Sequence, residues 1–367
     1  MAELMSPLSI GKLNLQHRVV MAPLTRYRAD KAHVPTEMMV EYYGQRASVP
    51  GTLLISEATF IAPQAGGFSC APGIYNDAQI QAWRKITDAV HAKGSYIFCQ
   101  LWALGRGALP EVLAAEGQKM VSSGNIRMSD DRPVPEPLTE EEIHSYIGYY
   151  EQAARNAIAA GFDGVEIHGA NGYLVDQFLQ DTCNNRTDSW GGSVENRAKF
   201  GIKVATAVST AIGAERVGYR MSPYSPFQGM KMKDPVPQFS FLTRELKKLD
   251  LAYIHIVESR ISGAGDIEGD EQPDFLVEIW GKTGAVILAG GFTPETAVET
   301  VKKYTTANIA IAFGRDFLAN PDLPFRISKK LALNKYDRDT FYIEQSPVGY
   351  ADYSFSPEFQ KETATAA

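Results

Sequence analysis

His168, Asn171 and Tyr173 lie within six residues of one another, in the string His168-Gly-Ala-Asn171-Gly-Tyr173. A histidine and an asparagine can both donate hydrogen bonds to one ligand oxygen and stabilise negative charge that develops there. A tyrosine, with an ordinary pKa of about 10, can deliver a proton as a general acid. The same three residues also fit a satisfied core histidine beside a packed aromatic ring. A second group is Ala289-Gly290-Gly291-Phe292 with Phe313-Gly314-Arg315. Glycines let backbone N–H groups approach an anion, and an arginine can grip a phosphate with two parallel hydrogen bonds. Two tight turns and a surface arginine are the ordinary alternative. Arg220 ends an apolar run, and a buried arginine needs an acceptor. Glu166, Glu57, a phosphate or an electron-rich ring edge would each serve. Gln100 offers a donor and an acceptor together, which suits a heteroaromatic edge. No His, Cys or carboxylate partner stands at metal-ligand spacing, so no metal is expected.

These residues sit where short apolar runs end. The runs are Val19–Met21, Leu53–Ile55, Tyr96–Cys99, Gly164–Ile167, Val217–Arg220, Tyr253–Val257, Val286–Ala289 and Ile309–Phe313. Several are continuous rather than alternating, as strands buried on both faces are. Helical segments lie between them. Thr139 with Glu142 forms a capping box for a helix toward Ala160, and Thr293-Pro294 is an N-cap followed by proline at the first helical position. Helices are also predicted from Asp77 to about His91 and from Pro237 to Leu249. Strand and helix alternating eight times predict an α/β fold, a single (β/α)8 barrel spanning residues 1–367. An open doubly wound sheet would carry G-x-G-x-x-G after its first strand, and only Gly105-Arg106-Gly107 approaches that pattern. Long loop insertions are expected after strand three, beyond Trp102, and after strand six, from Ser259 to about Gln272. Both leave the strand ends at which barrel sites lie, so both are candidate lids.

The 367 residues carry a net charge of −7 and 44% hydrophobic residues. An acidic chain without a basic stripe is a poor partner for nucleic acid or an anionic membrane. No run approaches the length of a membrane span. Three scattered cysteines, Cys70, Cys99 and Cys183, and no visible secretory signal predict a cytoplasmic protein without a disulfide framework.

At the strand ends the sequence resembles the old yellow enzyme family of FMN-dependent ene-reductases, from about Pro7 to Phe355. The most specific string is His168-Gly-Ala-Asn-Gly-Tyr173-Leu, continuing to Gln177-Phe178-Leu179, Asn185-Arg186-Thr187-Asp188 and Gly191-Gly192-Ser193-Val194-Glu195-Asn196-Arg197. Met21-Ala-Pro-Leu-Thr25-Arg26, Gln100-Leu-Trp102, Arg220-Met-Ser-Pro-Tyr224, Gly314-Arg315 and Asn334-Lys-Tyr-Asp-Arg338-Asp-Thr-Phe-Tyr342 are similar too. The resemblance implies tightly bound FMN. Thr25 would tune the ring near O4, Pro23 and Ala58 would contact it through the backbone, and Gln100 and Arg220 would hold its pyrimidine edge. Gly291, Gly314 and Arg315 would bind its phosphate. Trp102, Phe292, Tyr342 and Phe227 would shape the substrate pocket.

The activity implied is a two-step reduction of an α,β-unsaturated carbonyl compound. NADPH would give hydride to the flavin and leave. The enone or enal would then bind in the same place, its oxygen held by His168 and Asn171. Hydride would pass to Cβ and a proton from Tyr173 to Cα. NADPH is thus a substrate, which explains a chain without a dinucleotide-binding unit. Thr25 and the His168/Asn171 pair are similar to the yeast-type branch. Glu41–Ile55 and Phe98–Trp102 are similar to filamentous-fungal members that include chanoclavine-I aldehyde reductases and isomerases of ergot alkaloid formation. A reductase or isomerase dedicated to such an aldehyde is the alternative. In that group tyrosine at the proton-donor position accompanies reduction, so Tyr173 implies a reductase. Gly105-Arg106-Gly107 departs from the yeast Gly-Trp pattern at a position that shapes the pocket. Monomer and homodimer are both compatible with the resemblance.

Overall fold

The computed structural model describes residues 1–263 and 265–366. Eight strands run parallel: β1 (Val19–Met21), β2 (Leu53–Ile55), β3 (Tyr96–Trp102), β4 (Gly164–Gly169), β5 (Val217–Met221), β6 (Tyr253–Val257), β7 (Ala285–Ala289) and β8 (Asn308–Phe313). Each pairs with the next in chain order, and β8 pairs back to β1 through Ile311 beside Val19 and Phe313 beside Met21. The sheet is therefore a closed (β/α)8 barrel, as the strand–helix alternation predicts. The strands match the sequence reading, with β3 and β4 extending onto Trp102 and Gly169.

The predicted helices form for the local reasons their sequences give. The helix Asp77–His91 starts from Asn76, whose side chain accepts from the Gln79 N–H in a capping box. The helix Glu140–Ala159 starts from Thr139 with Glu142 at its third position. Pro294–Lys303 opens behind Thr293 with proline in its first turn. The expected helix from Pro237 runs over Val236–Lys247. These helices bury the outward side chains of the strands, among them Ile97, Val165, Tyr219, Ile256 and Leu288.

The inward side chains divide the barrel into two halves. From β1, β2, β7 and β8 they are small or aliphatic: Val20, Leu53, Ile55, Ala285, Ile287, Ala289, Ala310 and Ala312. From β3 to β6 the alternate, inward positions carry Gln100, Glu166, His168, Arg220 and His255, all buried. An N-terminal hairpin, Leu8–Ile10 with Leu13–Leu15, adds Leu8, Ile10 and Leu15 to the aliphatic cluster. Burial of such side chains is worth roughly 1.5–3 kcal/mol each. Its turn needs Gly11 at φ +53°, where a Cβ would sit 2.0 Å from the Glu215 carbonyl oxygen.

The two long connections leave β3 and β6. Residues 103–139 hold a short helix, Pro110–Ala115, and two paired two-residue strands, Val121–Ser122 and Glu136–Pro137. The β6 connection folds into a small hairpin, Ile261–Ser262 against Gly265–Asp266. Residues 338–350 lie back over β1. Arg26 and Arg28 hold them there, donating to the carbonyl oxygens of Thr340, Phe341, Ser346, Val348 and Gly349 at 2.6–3.0 Å.

Candidate active site

A cavity of about 770 Å³ opens at the C-terminal ends of the strands. That is the size of a site for a cofactor-sized ligand. Every residue that the family resemblance assigns to the flavin, its phosphate or the substrate walls lines it, as do His168, Asn171 and Tyr173. Pro23 and Thr25 come from the end of β1, Ala58 from beyond β2, and Gln100 and Trp102 from β3. His168, Asn171 and Tyr173 enter from β4 and the turn after it, and Arg220 and Phe227 from β5 and its loop. Gly291 and Phe292 follow β7, Gly314 and Arg315 follow β8, and Tyr342 reaches in from the C-terminal segment. Tyr342 is half exposed and forms the rim.

His168 is buried and held neutral. Burial drives its pKa well below the ordinary value, and the charges of Arg220 and His255 push the same way. Its Nδ1 accepts from the Ala170 N–H at 3.4 Å, which leaves the proton on Nε2 as a donor. Asn171 sits in the left-handed region at φ +58°, its N–H donating to Ser222 Oγ at 2.7 Å. Its carbonyl accepts from Gln228 Nε2 at 3.1 Å. Tyr173 stands edge-on to the His168 ring, with centroids 5.1 Å apart, and edge-on to Trp102 at 4.9 Å. Burial raises the Tyr173 pKa, and the Gln228 amide and the Arg220 charge oppose that rise. A phenol in this setting stays protonated at neutral pH and can give up its proton only to a group within the cavity.

An aromatic wall runs from this corner to the rim. Trp102 lies 5.7 Å from Phe68, Phe68 5.8 Å from Tyr27, and Tyr27 5.6 Å from Tyr342 between centroids. Phe227 packs against the loop after β6, where a Cβ on Gly263 would come within 2.6 Å of its ring. Phe292 lies under the Arg260 guanidinium at 5.1 Å. Flat, partly apolar ligands suit such walls.

The polar half of the barrel forms the floor. Arg220 is 9% exposed, and its Nε is buried without a hydrogen-bond partner among the described residues. Neither carboxylate that the sequence offered it, Glu166 or Glu57, forms an ion pair with it there. Glu166 is engaged by Gln100 and His255, and Glu57 by Tyr43. The orphaned Arg220 Nε is an unmatched polar group on a wall that Gln100 also lines, as an unfilled site for a polar ring edge requires. Gly291 and Arg315 lie side by side on the cavity wall. A Cβ on Gly291 would lie 3.9 Å from Arg315 Nη2, and Gly291 itself takes φ +65°. Arg315 is already gripping an anion, the Asp266 carboxylate, in a two-pronged pair. The cradle therefore fits FMN at both ends.

Sequence reasoning missed several neighbours of these residues. Asp266, Gln228, Tyr27 and Phe68 carried no motif. Glu166 is named from the sequence only as an acceptor for Arg220; its inward position between Val165 and Ile167 also carries the signal that places it in the barrel floor. Arg106, expected to shape the pocket, does not line it. It is 2% exposed and donates to the carbonyls of Ile126, Arg127 and Gln228, tying the loop after β3 to the loop after β5. Its neighbour Gly107 does the shaping, since a Cβ there would lie 3.2 Å from the Tyr173 ring.

Residues 3–334 match the model of the NADH:flavin oxidoreductase / NADH oxidase family. The chain is 56% identical to the chanoclavine-I aldehyde reductase fgaOx3 of Penicillium roqueforti, over 100% of both chains. It is 52% identical to the NADP-dependent oxidoreductase lnbE of Aspergillus flavus, over 98% of this chain and 97% of that one. Among solved structures, the Old Yellow Enzyme from Pichia sp. AKU4542 superimposes with a TM-score of 0.90 at 38% identity, covering 97% of this chain and 94% of that one.

Proposed function

The chain belongs to the NADH:flavin oxidoreductase / NADH oxidase family, and from that premise we propose that it is an FMN-dependent, NADPH-consuming reductase of the C=C bond of α,β-unsaturated carbonyl compounds. The observation that carries this reading is that a neutral His168, Asn171 and Tyr173 line one cavity together with Gly291 and Arg315. FMN, when bound, supplies the hydride. The chain's own residues do the rest. His168 donates from Nε2, and Asn171 beside it adds a second donor, so that a substrate oxygen is held where negative charge develops. Tyr173 supplies the proton to Cα. Gln100 and Arg220 orient the ring edge, Arg220 adding positive charge where the reduced ring carries negative charge. Gly291, Gly314 and Arg315 hold the phosphate, Pro23, Thr25 and Ala58 line the ring, and Trp102, Phe227, Phe292 and Tyr342 form the substrate walls.

NADPH and the enone take turns in one cavity. The name of lnbE supports NADPH as the donor. An aldehyde of fungal secondary metabolism is a second reading of the substrate, favoured by the name of the relative at 56% identity. Tyr173 favours reduction over isomerisation in either case. Among the described residues no helix is long and apolar enough to cross a membrane, and a cytoplasmic enzyme is proposed. Anaerobic NADPH should bleach the yellow holoenzyme, and a panel of enones and enals should restore the colour. Protein that binds no FMN, or reduced flavin that no enone reoxidises, would overturn the reading.

A further inference from the structure

Beneath the cavity floor lies a buried polar network that the reading above does not use. Glu166 is fully buried on β4, with both carboxylate oxygens engaged. Oε1 accepts from Gln100 Nε2 at 2.7 Å, and Oε2 takes a hydrogen bond from His255 Nδ1 at 2.8 Å. Gln100 is its register partner on β3, whereas His255 lies two strands away on β6. The strand between them carries glycine at the Glu166 level. A Cβ on Gly218 would lie 2.1 Å from the Tyr253 ring. His255 Nε2 has no partner among the described residues. A cationic imidazole would leave its Nε2–H buried without an acceptor, which favours the neutral form with its one proton on Nδ1. Burial, which pushes His255 below its ordinary pKa, agrees. Burial also works against the Glu166 carboxylate, but its hydrogen bonds and the positive charge nearby hold it ionised. The remaining charge in the cluster is Arg220, adjacent to His255 and His168 in register.

Two consequences follow from chemistry alone. A side-chain amide that donates Nε2 to Glu166 must offer its Oε1 elsewhere, and Gln100 borders the cavity. Gln100 therefore presents its Oε1 as an acceptor, which selects a ring N–H, and cannot flip its amide without setting that oxygen against the Glu166 carboxylate. The negative charge of Glu166 also offsets that of Arg220 in a region of low dielectric. We propose that Glu166 is a positioning residue for the flavin site: it fixes the amide of Gln100 with its acceptor toward the ring N3–H, and it sets how much of the Arg220 charge the ring feels. This rests on the FMN reading above.

The test separates the two roles. Full-length apoprotein is titrated with FMN and with N3-methyl-FMN, and the midpoint potential of bound FMN is measured in wild type, Glu166→Gln and Glu166→Met. Wild type should prefer FMN over the methylated analogue by roughly tenfold or more, the loss of one hydrogen bond to a fixed acceptor. Glu166→Gln keeps an acceptor for Gln100 but removes the charge. It should keep that preference while the potential rises, because an uncompensated Arg220 favours the more negative reduced ring. Glu166→Met removes both, so the preference should collapse and the potential rise. An unchanged potential in Glu166→Gln, or a preference retained in Glu166→Met, overturns the proposal. If Glu166→Met does not fold, the potential of the milder Glu166→Gln decides. A wild-type apoprotein that binds no FMN defeats the underlying functional reading instead, and the inference with it.

Discussion

Arg315 and Asp266 face each other in a parallel ion pair, Nη1 to Oδ2 at 2.6 Å and Nη2 to Oδ1 at 2.5 Å. Arg315 stands at the end of β8, and Asp266 comes from the hairpin after β6. Arg338 joins the same carboxylate at 3.0 Å. A carboxylate thus occupies the grip expected for a phosphate, and an incoming phosphate must displace it. Asp266 is more than half exposed, so the pair is worth only about 0.5–1 kcal/mol. Asp266→Asn should bind FMN about two- to fivefold more tightly at low salt and leave riboflavin, which lacks the phosphate, unaffected. Fluorescence titration of apoprotein checks this; weaker FMN binding by the variant would make Asp266 a ligand-side support rather than a competitor.

Tyr173→Phe should slow reoxidation of the reduced enzyme by an enone about 10²- to 10⁴-fold, the usual contribution of a positioned general acid. Reduction by NADPH needs no proton from this residue and should be nearly unchanged. Separate anaerobic stopped-flow traces of the two half-reactions distinguish the outcomes, and an equal effect on both would remove Tyr173 from proton delivery.

Gly107→Ala tests the space behind the tyrosine. The added Cβ would lie 2.6 Å from Gln228 Oε1 and 3.2 Å from Tyr173 Cε1. Gln228 cannot yield without loosening its bond to the Asn171 carbonyl. Asn171 and Tyr173 would both move by a few tenths of an ångström. Enone reduction should fall about tenfold while FMN affinity stays constant, since small misplacements cost rate before they cost binding. A variant with wild-type turnover would show that the turn absorbs the methyl group.

Asp176 holds that turn from below, accepting from the Gly172 N–H at 2.9 Å and from Gln180 Nε2 at 2.8 Å. Burial outweighs these bonds and pushes its carboxyl up to about 7. The folded chain therefore holds a proton that the unfolded chain releases near pH 4. Stability from this group is complete below about pH 4 and is lost as pH rises through 7, by of order 4 kcal/mol. Glu57, also pushed up to about 7 by burial, adds a slope of the same sign. His17, pushed down to about 4 by burial, adds the opposite slope between pH 4 and 6.5. The difference between wild type and Asp176→Asn cancels both. The variant should match wild type in Tm near pH 4 and exceed it at pH 8; a difference that does not change with pH would mean that Asp176 is ionised throughout.

The barrel was legible because buried parallel strands leave continuous apolar runs, and polar residues at their ends have no place in a core. The strand ends Gln100, His168, Arg220 and Arg315 could be assigned to one mouth because closure brings all such ends together, whatever the loops do. Their inward neighbours were less visible. Glu166 and His255 alternate with outward Ile167 and Ile256, and a period of two is hard to see in runs of five or six mostly apolar residues.

What the sequence determined by itself is which polar groups stand at the strand ends around the cavity, since side-chain direction along a strand follows from backbone geometry alone. The tertiary structure decided which of those groups are spent on one another. Glu166 takes Gln100 and His255, 66 and 89 residues away, rather than Arg220. Asp266 takes Arg315, 49 residues on, and Arg106 turns from the pocket to the carbonyls of two loops. Loop positions depend on such distant contacts, as Arg28 shows by holding a segment more than 300 residues away. A carboxylate or an arginine satisfies its charge with whatever the closed barrel brings within about 3 Å, and only the closed barrel fixes that distance.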